Sequence, residues 1–301
     1  MSASPIASPI RVAVIGVGIM GSAIATRLAR CGVAVSAYDR DPSRPAALAP
    51  LGVRAAANAR EAARQADCVI LSLNTADIVR VAVFGDAGVA QGAGPDKLLI
   101  DMSSIDPNAT RTMAAQLRSA TGMAWVDCPL SGGVPGAQSG SLTIMAGGDA
   151  QDFERARAVM RHLAANYTLM GAVGAGQTTK LVNQVLCAIL FQAVAEATEF
   201  AQRGGVAAEA IPAALAGGRA DSRILQEFMA KMARHDYSPT GRLDNMLKDL
   251  DAVQACAKAA ATPMPVTDLV AQIHRKLVAA GLGAEDNCAL MRQFDDPAPE
   301  R

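Results

Sequence analysis

The chain reads as a doubly wound α/β domain followed by an all-α domain, with one long helix leading into the second. Three observations predict this. Short apolar runs alternate with helical patterns through the first half, and strands alternating with helices build a mostly parallel sheet. A Gly-x-Gly-x-x-Gly run, Gly16 to Gly21, follows the first apolar run and opens the first helical pattern. Beyond about Val173 the strand signals stop and only helical periodicity continues.

Val12 to Ile15 is a buried strand, Ile19 to Arg30 a helix, and Ala34 to Tyr38 a second strand. Cys68 to Leu73, Leu98 to Asp101 and Ala124 to Asp127 continue the series. Gln177 to Gln202 is one helical pattern, roughly 40 Å long at ~1.5 Å per residue. Further helices are expected over Ala207–Ala216, Arg223–Arg234, Leu243–Ala260 and Val266–Ala280, with Pro263 and Pro265 interrupting the chain before the last. Residues 1–10 have neither the charged start nor the apolar core of a secretory signal and are expected to be a loose tail. The α/β domain is then 11–173 and the helical domain 174–301.

Composition narrows the class of partner. The 301 residues suffice for two domains with separate cores. A net charge of +0, no basic stripe and an aromatic content of 3% argue against nucleic acid and anionic membranes. The hydrophobic fraction is 51%, yet no uninterrupted apolar run reaches the roughly 18–20 residues that span a bilayer. A soluble protein of the reducing cytoplasm is expected. Cys31, Cys68, Cys128, Cys187, Cys256 and Cys288 are widely spaced without a Cys-x-x-Cys pair, and the three histidines are scattered. Inert thiols are expected, with no disulfide and no metal site.

Gly16-Val17-Gly18-Ile19-Met20-Gly21 has the context of a dinucleotide fingerprint. Its glycines allow a tight turn, close approach of backbone to a pyrophosphate, and close packing of helix on sheet. Asp39 ends the second strand about twenty residues on, where a carboxylate accepts from the adenosine ribose hydroxyls. That favours NAD over NADP, although the neighbouring Arg40 can stack on adenine or reach a 2′-phosphate.

Two further segments suit a small carboxylate. Asp127 to Ala137 leaves a strand end, and the amides around Ser131-Gly132-Gly133 can form an anion-binding nest beside the Ser hydroxyl. In Gly174 to Asn183, Lys180 and Asn183 are spaced to share a helix face among Leu181, Val182, Val185 and Leu186. Burial among such neighbours and a nearby nicotinamide cation would lower a Lys from its usual pKa of about 10.4. Lys180 can then exchange a proton with a substrate oxygen, while Asn183 holds the substrate hydroxyl or carboxylate.

These segments, in order, resemble the signature series of the β-hydroxyacid dehydrogenase family. Asp101-Met102-Ser103-Ser104-Ile105-Asp106-Pro107 is a further block, Lys248-Asp249-Leu250 resembles the C-terminal lysine–aspartate motif, and Asp286 to Leu290 the closing segment. The resemblance implies a Rossmann-type N-terminal domain joined by a long helix to an all-α domain, with the active site in the cleft. It makes Lys180 the catalytic acid/base and gives the substrate to Ser131, Gly132, Gly133 and Asn183. Lys248 would reach nicotinamide and substrate, Leu73-Asn74 would line the nicotinamide ribose, and Ser104, standing where Thr is usual, would keep its cofactor contact. Homodimers or homotetramers through the helical domain are implied as well.

Members of the family act on several short hydroxy acids, and the stretch Ala216 to Ser222 resembles tartronate semialdehyde (2-hydroxy-3-oxopropanoate) reductases more than 3-hydroxyisobutyrate dehydrogenases. A helix-ending turn explains its glycines equally well. Two other readings fit the same residues: a non-catalytic NAD-binding protein, and an imine reductase using Lys180 as proton donor.

Overall fold

The computed structural model describes residues 10–238 and 240–295. The expected N-terminal tail therefore lies, apart from Ile10, outside the described residues. The chain divides after Lys180 into two compact units.

The first unit is a nine-stranded sheet with helices on both faces. Its elements in chain order are β1 (Arg11–Ile15), α1 (Ile19–Arg30), β2 (Ala34–Tyr38), α2 (Ser43–Ala46), β3 (Arg54–Ala55), α3 (Ala59–Gln65) and β4 (Cys68–Leu71). There follow α4 (Ala76–Phe84), β5 (Leu98–Asp101), α5 (Pro107–Thr121), β6 (Ala124–Asp127), β7 (Leu130–Ser131), α6 (Gly133–Ser139), β8 (Leu142–Gly147), α7 (Ala150–Met160) and β9 (Ala164–Gly171). Strand order is β3-β2-β1-β4-β5-β6-β8-β7, with β9 also paired to β8. From β3 to β6 all pairings are parallel. The order reverses between β1 and β4, the switch point at which doubly wound sheets bind dinucleotides.

Strand β1 shows why the sheet is covered on both sides. Side chains alternate across a strand, so Val12 and Val14 join Ile24 and Leu28 of α1 and Phe153 and Val159 of α7. Ala13 and Ile15 face the other way, with Ala62 of α3, Val79 and Val83 of α4, and Met113 and Leu117 of α5. Helix α5 starts on a capping Asp106, whose carboxylate accepts from the Ala109 N–H at 2.7 Å, with Pro107 in its first turn.

The expected strands are present, and the sheet extends further than the apolar runs indicate. Strand β8 is antiparallel to β6 and β7 and parallel to β9. In β9 half-exposed and exposed residues are interspersed with no buried position, so this strand lacks the apolar run that marks the central ones.

Helix α8 (Ala175–Arg203) begins in the first unit and continues into the second. It is followed by α9 (Ile211–Leu215), α10 (Arg223–Ala233), α11 (Leu243–Ala259) and α12 (Pro265–Leu277). Phe191 and Val194 of α8 pack with Leu225 and Met229 of α10, Leu243 and Leu250 of α11, and Val270 of α12. By length and composition α8 could cross a membrane; its buried Phe191, Val194 and Ala195 make it the core helix of the second unit.

The closing segment is held by one buried carboxylate. Asp286 accepts from Thr240 N at 2.6 Å, Thr240 Oγ1 at 2.7 Å, Gly241 N at 2.9 Å and Cys288 N at 3.1 Å. Burial works to raise its pKa, but these bonds together outweigh it and hold the carboxyl below its ordinary value.

Candidate active site

The loop after β1 lies at the switch point of the sheet. Gly16 has φ +89°, a left-handed conformation that suits glycine, and its N–H donates to the Tyr38 carbonyl at 2.9 Å. A Cβ on Gly16 would collide with the Ser72 carbonyl, and one on Gly21 with the Gly16 carbonyl. Gly18 differs: a Cβ there would meet nothing nearer than Arg44 Nη1 at 3.9 Å. Two glycines therefore serve the fold, and the third leaves an open face at the start of α1. That is the cradle a dinucleotide pyrophosphate fits. Ile19, 84% exposed, and half-buried Met20 follow in the first turn.

Asp39 is half-buried at the end of β2 and binds the glycine loop itself, its Oδ2 accepting from Val17 N at 2.7 Å and its Oδ1 from Asp41 N at 3.0 Å. An ionised carboxylate has about four acceptor sites, so capacity for ribose hydroxyls is retained. The guanidinium beside it belongs to Arg44, with Nη1 at 3.5 Å from Asp39 Oδ2, whereas Arg40 is exposed. Arg44 was not singled out from sequence; its signal is a second cation a few positions beyond the acidic strand end.

The next two strand ends are coupled. Leu73 N donates to Ser103 Oγ at 3.1 Å, and Ser103 N to Asp101 Oδ1 at 3.0 Å. Leu73 also packs against Gly16, where its side chain would obstruct a Cβ. Asn74 is exposed and Ser104 half-buried in the same two loops. Asp101 is fully buried and its Oδ2 has no hydrogen-bond partner. Burial pushes this carboxyl up to about 7, assisted by the charge of Asp127, its register partner on β6.

Asp127 secures the start of α8. Its Oδ1 accepts from Gly174 N at 2.7 Å and its Oδ2 from Gln177 N at 2.9 Å, two of the amide groups that a helix beginning leaves without intrahelical partners. Burial raises its pKa despite these bonds. Gln177, 1% exposed, adds a second attachment: its Nε2 donates to the Ser103 carbonyl at 2.8 Å and its Oε1 accepts from Ile105 N at 3.2 Å. Neither role was read from the sequence. The available signal was a carboxylate closing each of two apolar strands, Leu98–Asp101 and Ala124–Asp127.

Ser131 ends β7 and is half-buried, and Gly132 and Gly133 are exposed at the start of α6. Both glycines are left-handed, with φ +116° and +59°, and a Cβ on either would meet nothing within 3.4 Å. Their backbone conformation, rather than crowding, calls for glycine.

Lys180, half-buried, follows Gln177 by three positions on α8. The apolar surroundings expected from sequence are only partly present: Leu181 is buried, but Val182 and Leu186 are 56% and 59% exposed. The polar residues and these two apolar ones occupy different sides of the helix, which local apolar content does not distinguish.

In the helical unit Asn183 is half-buried and its Nδ2 donates to Gln184 Oε1 at 2.8 Å and to Cys187 Sγ at 3.5 Å. Gln184 Nε2 donates to Asp249 Oδ2 at 2.6 Å, and Asp249 Oδ1 lies 3.3 Å from Lys248 Nζ. The lysine–aspartate motif of α11 and the Asn of α8 thus belong to one hydrogen-bonded series. Ala216 to Ser222, by contrast, is a turn after α9: Gly217 has φ +74° and its N–H donates to Asp221 Oδ2 at 2.7 Å.

Cys68, Cys128 and Cys288 are buried, and Cys31, Cys187 and Cys256 half-buried. Burial pushes the Cys68 thiol up to about 11, and that of Cys128 well above its ordinary value. Among the described residues no group of three His, Cys, Asp or Glu side chains is arranged to hold a metal ion.

Glycine cradle, acidic strand end and switch point together define a dinucleotide-binding unit of Rossmann type. Comparison with known proteins narrows this. Residues 11–171 match the NAD binding domain of 6-phosphogluconate dehydrogenase, and residues 174–294 the family described as NAD-binding of NADP-dependent 3-hydroxyisobutyrate dehydrogenase. The 2-hydroxy-3-oxopropionate reductase of Escherichia coli K12 is 34% identical over 93% of this chain and 96% of its own. The NAD-dependent L-serine dehydrogenase of Pseudomonas aeruginosa is 32% identical over 95% of this chain and 98% of its own. The structure of Mycobacterium tuberculosis 3-hydroxyisobutyrate dehydrogenase with L-serine superposes with a TM-score of 0.86 at 30% identity, covering 96% of this chain and 100% of that one. The chain belongs to the β-hydroxyacid dehydrogenase family of NAD(P)-dependent 3-hydroxyacid oxidoreductases.

Proposed function

We propose that the protein interconverts a short 3-hydroxy carboxylic acid and its semialdehyde, with Lys180 as general acid/base. One observation carries this reading. Gln177, one helical turn before Lys180, is buried and bonded on both sides of its amide to the Ser103–Ile105 loop at the carboxyl end of β5, where a doubly wound sheet presents its ligands, which supports a role for Lys180 one turn further on. Gly16, Gly18, Ile19, Met20 and Gly21 would hold the dinucleotide phosphates, Asp39 and Arg40 the adenosine, and Leu73, Asn74 and Ser104 the nicotinamide half. NAD, when bound, supplies the hydride acceptor.

In oxidation Lys180 Nζ takes the hydroxyl proton as the carbonyl forms, and in reduction it returns that proton to the carbonyl oxygen. Ser131, Gly132 and Gly133 receive the substrate carboxylate through the Ser hydroxyl and backbone N–H groups. Asn183 binds the substrate, and Lys248 supplies positive charge near substrate and nicotinamide. Asp39 favours NAD, since a 2′-phosphate would meet a like charge. The substrates we favour are 2-hydroxy-3-oxopropionate and 3-hydroxyisobutyrate, each named in a relative of this chain.

We further propose a cytoplasmic homodimer or homotetramer formed through the helical unit. Its support is a row of exposed apolar side chains on α8, namely Val182, Leu186, Leu190 and Phe200. The activity is tested with a spectrophotometric panel of short hydroxy acids, supplying NAD and NADP separately. Reduction of NAD by a 3-hydroxy acid is the expected result. Tight NAD binding without reduction across the panel would replace the proposal with a non-catalytic NAD-binding protein.

A further inference from the structure

The hydrogen-bonded series around Asn183 has a direction. A carboxylate held beside an ammonium has acceptor oxygens only, and Asp249 is so placed, with Lys248 Nζ at 3.3 Å from Oδ1. The Gln184 atom 2.6 Å from Asp249 Oδ2 must therefore be Nε2. A second neighbour agrees: Met246 Sδ, 3.9 Å from the same nitrogen, is a thioether and accepts without donating. Gln184 consequently turns Oε1 towards Asn183, which fixes the Asn183 atom at 2.8 Å as Nδ2. The other Nδ2 hydrogen is directed to Cys187 Sγ at 3.5 Å. Gln184 and Asp249 are each 8% exposed, so water offers little competition for the bonds that set this order.

We infer that Asp249 and Gln184 are positioning residues that lock the Asn183 amide with both N–H groups engaged. Only the carbonyl Oδ1 is left to offer a ligand. Asn183 is then an acceptor in substrate recognition: it receives a hydrogen bond from the substrate hydroxyl and does not donate to the carboxylate. The inference rests on the proposal that Asn183 binds substrate, and it resolves the two roles that sequence leaves open for this residue. It also gives Asp249 of the lysine–aspartate motif a task distinct from that of Lys248: it sets the polarity of an amide two links away.

The test measures binding, so it does not depend on Lys180 or on turnover. Titration calorimetry with the protein saturated in NADH compares 3-hydroxyisobutyrate with isobutyrate, which keeps the carboxylate and lacks the hydroxyl. Wild type should bind the hydroxy acid roughly tenfold or more tighter, the preference of a site whose polar group would otherwise be left unpaired. In Gln184→Leu the preference should shrink several-fold through weaker binding of 3-hydroxyisobutyrate, with isobutyrate unchanged. Gln184→Glu should lose it too, because two carboxylates then face each other. The double variant Gln184→Glu/Asp249→Asn should recover it, since the carboxylate introduced on α8 would accept from both neighbouring amides and restore the order of donors and acceptors. Recovery in the double variant also separates polarity from general damage to the helix.

Equal wild-type affinity for the two acids, binding of neither, equal weakening of both acids in Gln184→Leu, or no recovery in the double variant would overturn the assignment. Failure of the wider functional reading would show separately, as absent turnover in the substrate panel.

Discussion

Gln177→Leu removes the amide that ties α8 to the loop after β5. The side chain is 1% exposed, and its loss leaves the Ser103 carbonyl and the Ile105 N–H, bonded at 2.8 and 3.2 Å, without partners in a buried setting. Each orphaned buried group costs about 1–3 kcal/mol, and the better burial of Leu returns about 1–2 kcal/mol. The net loss is centred on about 2.5 kcal/mol, and at roughly 2–4 °C per kcal/mol for a unit of this size the first thermal transition should fall by about 8 °C. Lys180 lies one turn further along the same helix, so if it is the proton-transfer group as proposed, kcat should drop about tenfold or more through its misplacement. Differential scanning calorimetry and steady-state kinetics on the same preparation give both quantities. A transition within about 1 °C of wild type, or an unchanged kcat, would refute the idea that Gln177 sets the position of Lys180.

Three further outcomes follow from the same structure. Burial holds Asp101 at about 7 against an ordinary 3.8, so the folded chain keeps a proton that the unfolded chain releases between those values. This group's contribution is greatest below pH about 4, falls as pH rises to about 7 and is flat above; the Tm of Asp101→Asn relative to wild type should therefore increase from pH 5 to pH 8, with a constant difference as the contrary result. Gly18→Ala should retain the wild-type Tm, since its Cβ meets nothing nearer than Arg44 Nη1 at 3.9 Å, yet lose NAD affinity at least roughly tenfold as the methyl enters the pyrophosphate cradle; Gly21→Ala, blocked by the Gly16 carbonyl, should be destabilised outright. If α8 mediates self-association, Leu186→Asp with Phe200→Glu should lower the mass seen by light scattering, and an unchanged mass would remove that face from the interface.

Strands β1, β2, β4, β5 and β6 and the helices of the second unit were legible because each carries a strong local pattern. Leu98–Asp101 and Ala124–Asp127, for example, are apolar throughout until the carboxylate that ends them. Strand β9 was not legible, because a partly exposed strand of Ala, Asn, Tyr and Thr lacks that pattern and is specified by its pairing with β8. The candidate site divides in the same way. Gly16 to Gly21, Ser131 to Gly133 and Lys180 stand in recognisable runs, whereas Asp127, Gln177 and the Asp249–Gln184–Asn183 series depend on bonds between residues distant in sequence. Adjacent side chains on a helix do not normally face each other, so Asn183 and Gln184 gave no local sign of their contact.

In the proposed mechanism Lys180 transfers the proton while other residues bind the cofactor. Its most direct test is the turnover of Lys180→Ala with whichever 3-hydroxy acid the panel identifies, measured beside NAD affinity by fluorescence titration. The expected result is a loss in kcat of about 10²–10⁴-fold with NAD affinity within about twofold of wild type. Wild-type turnover in that variant would contradict it.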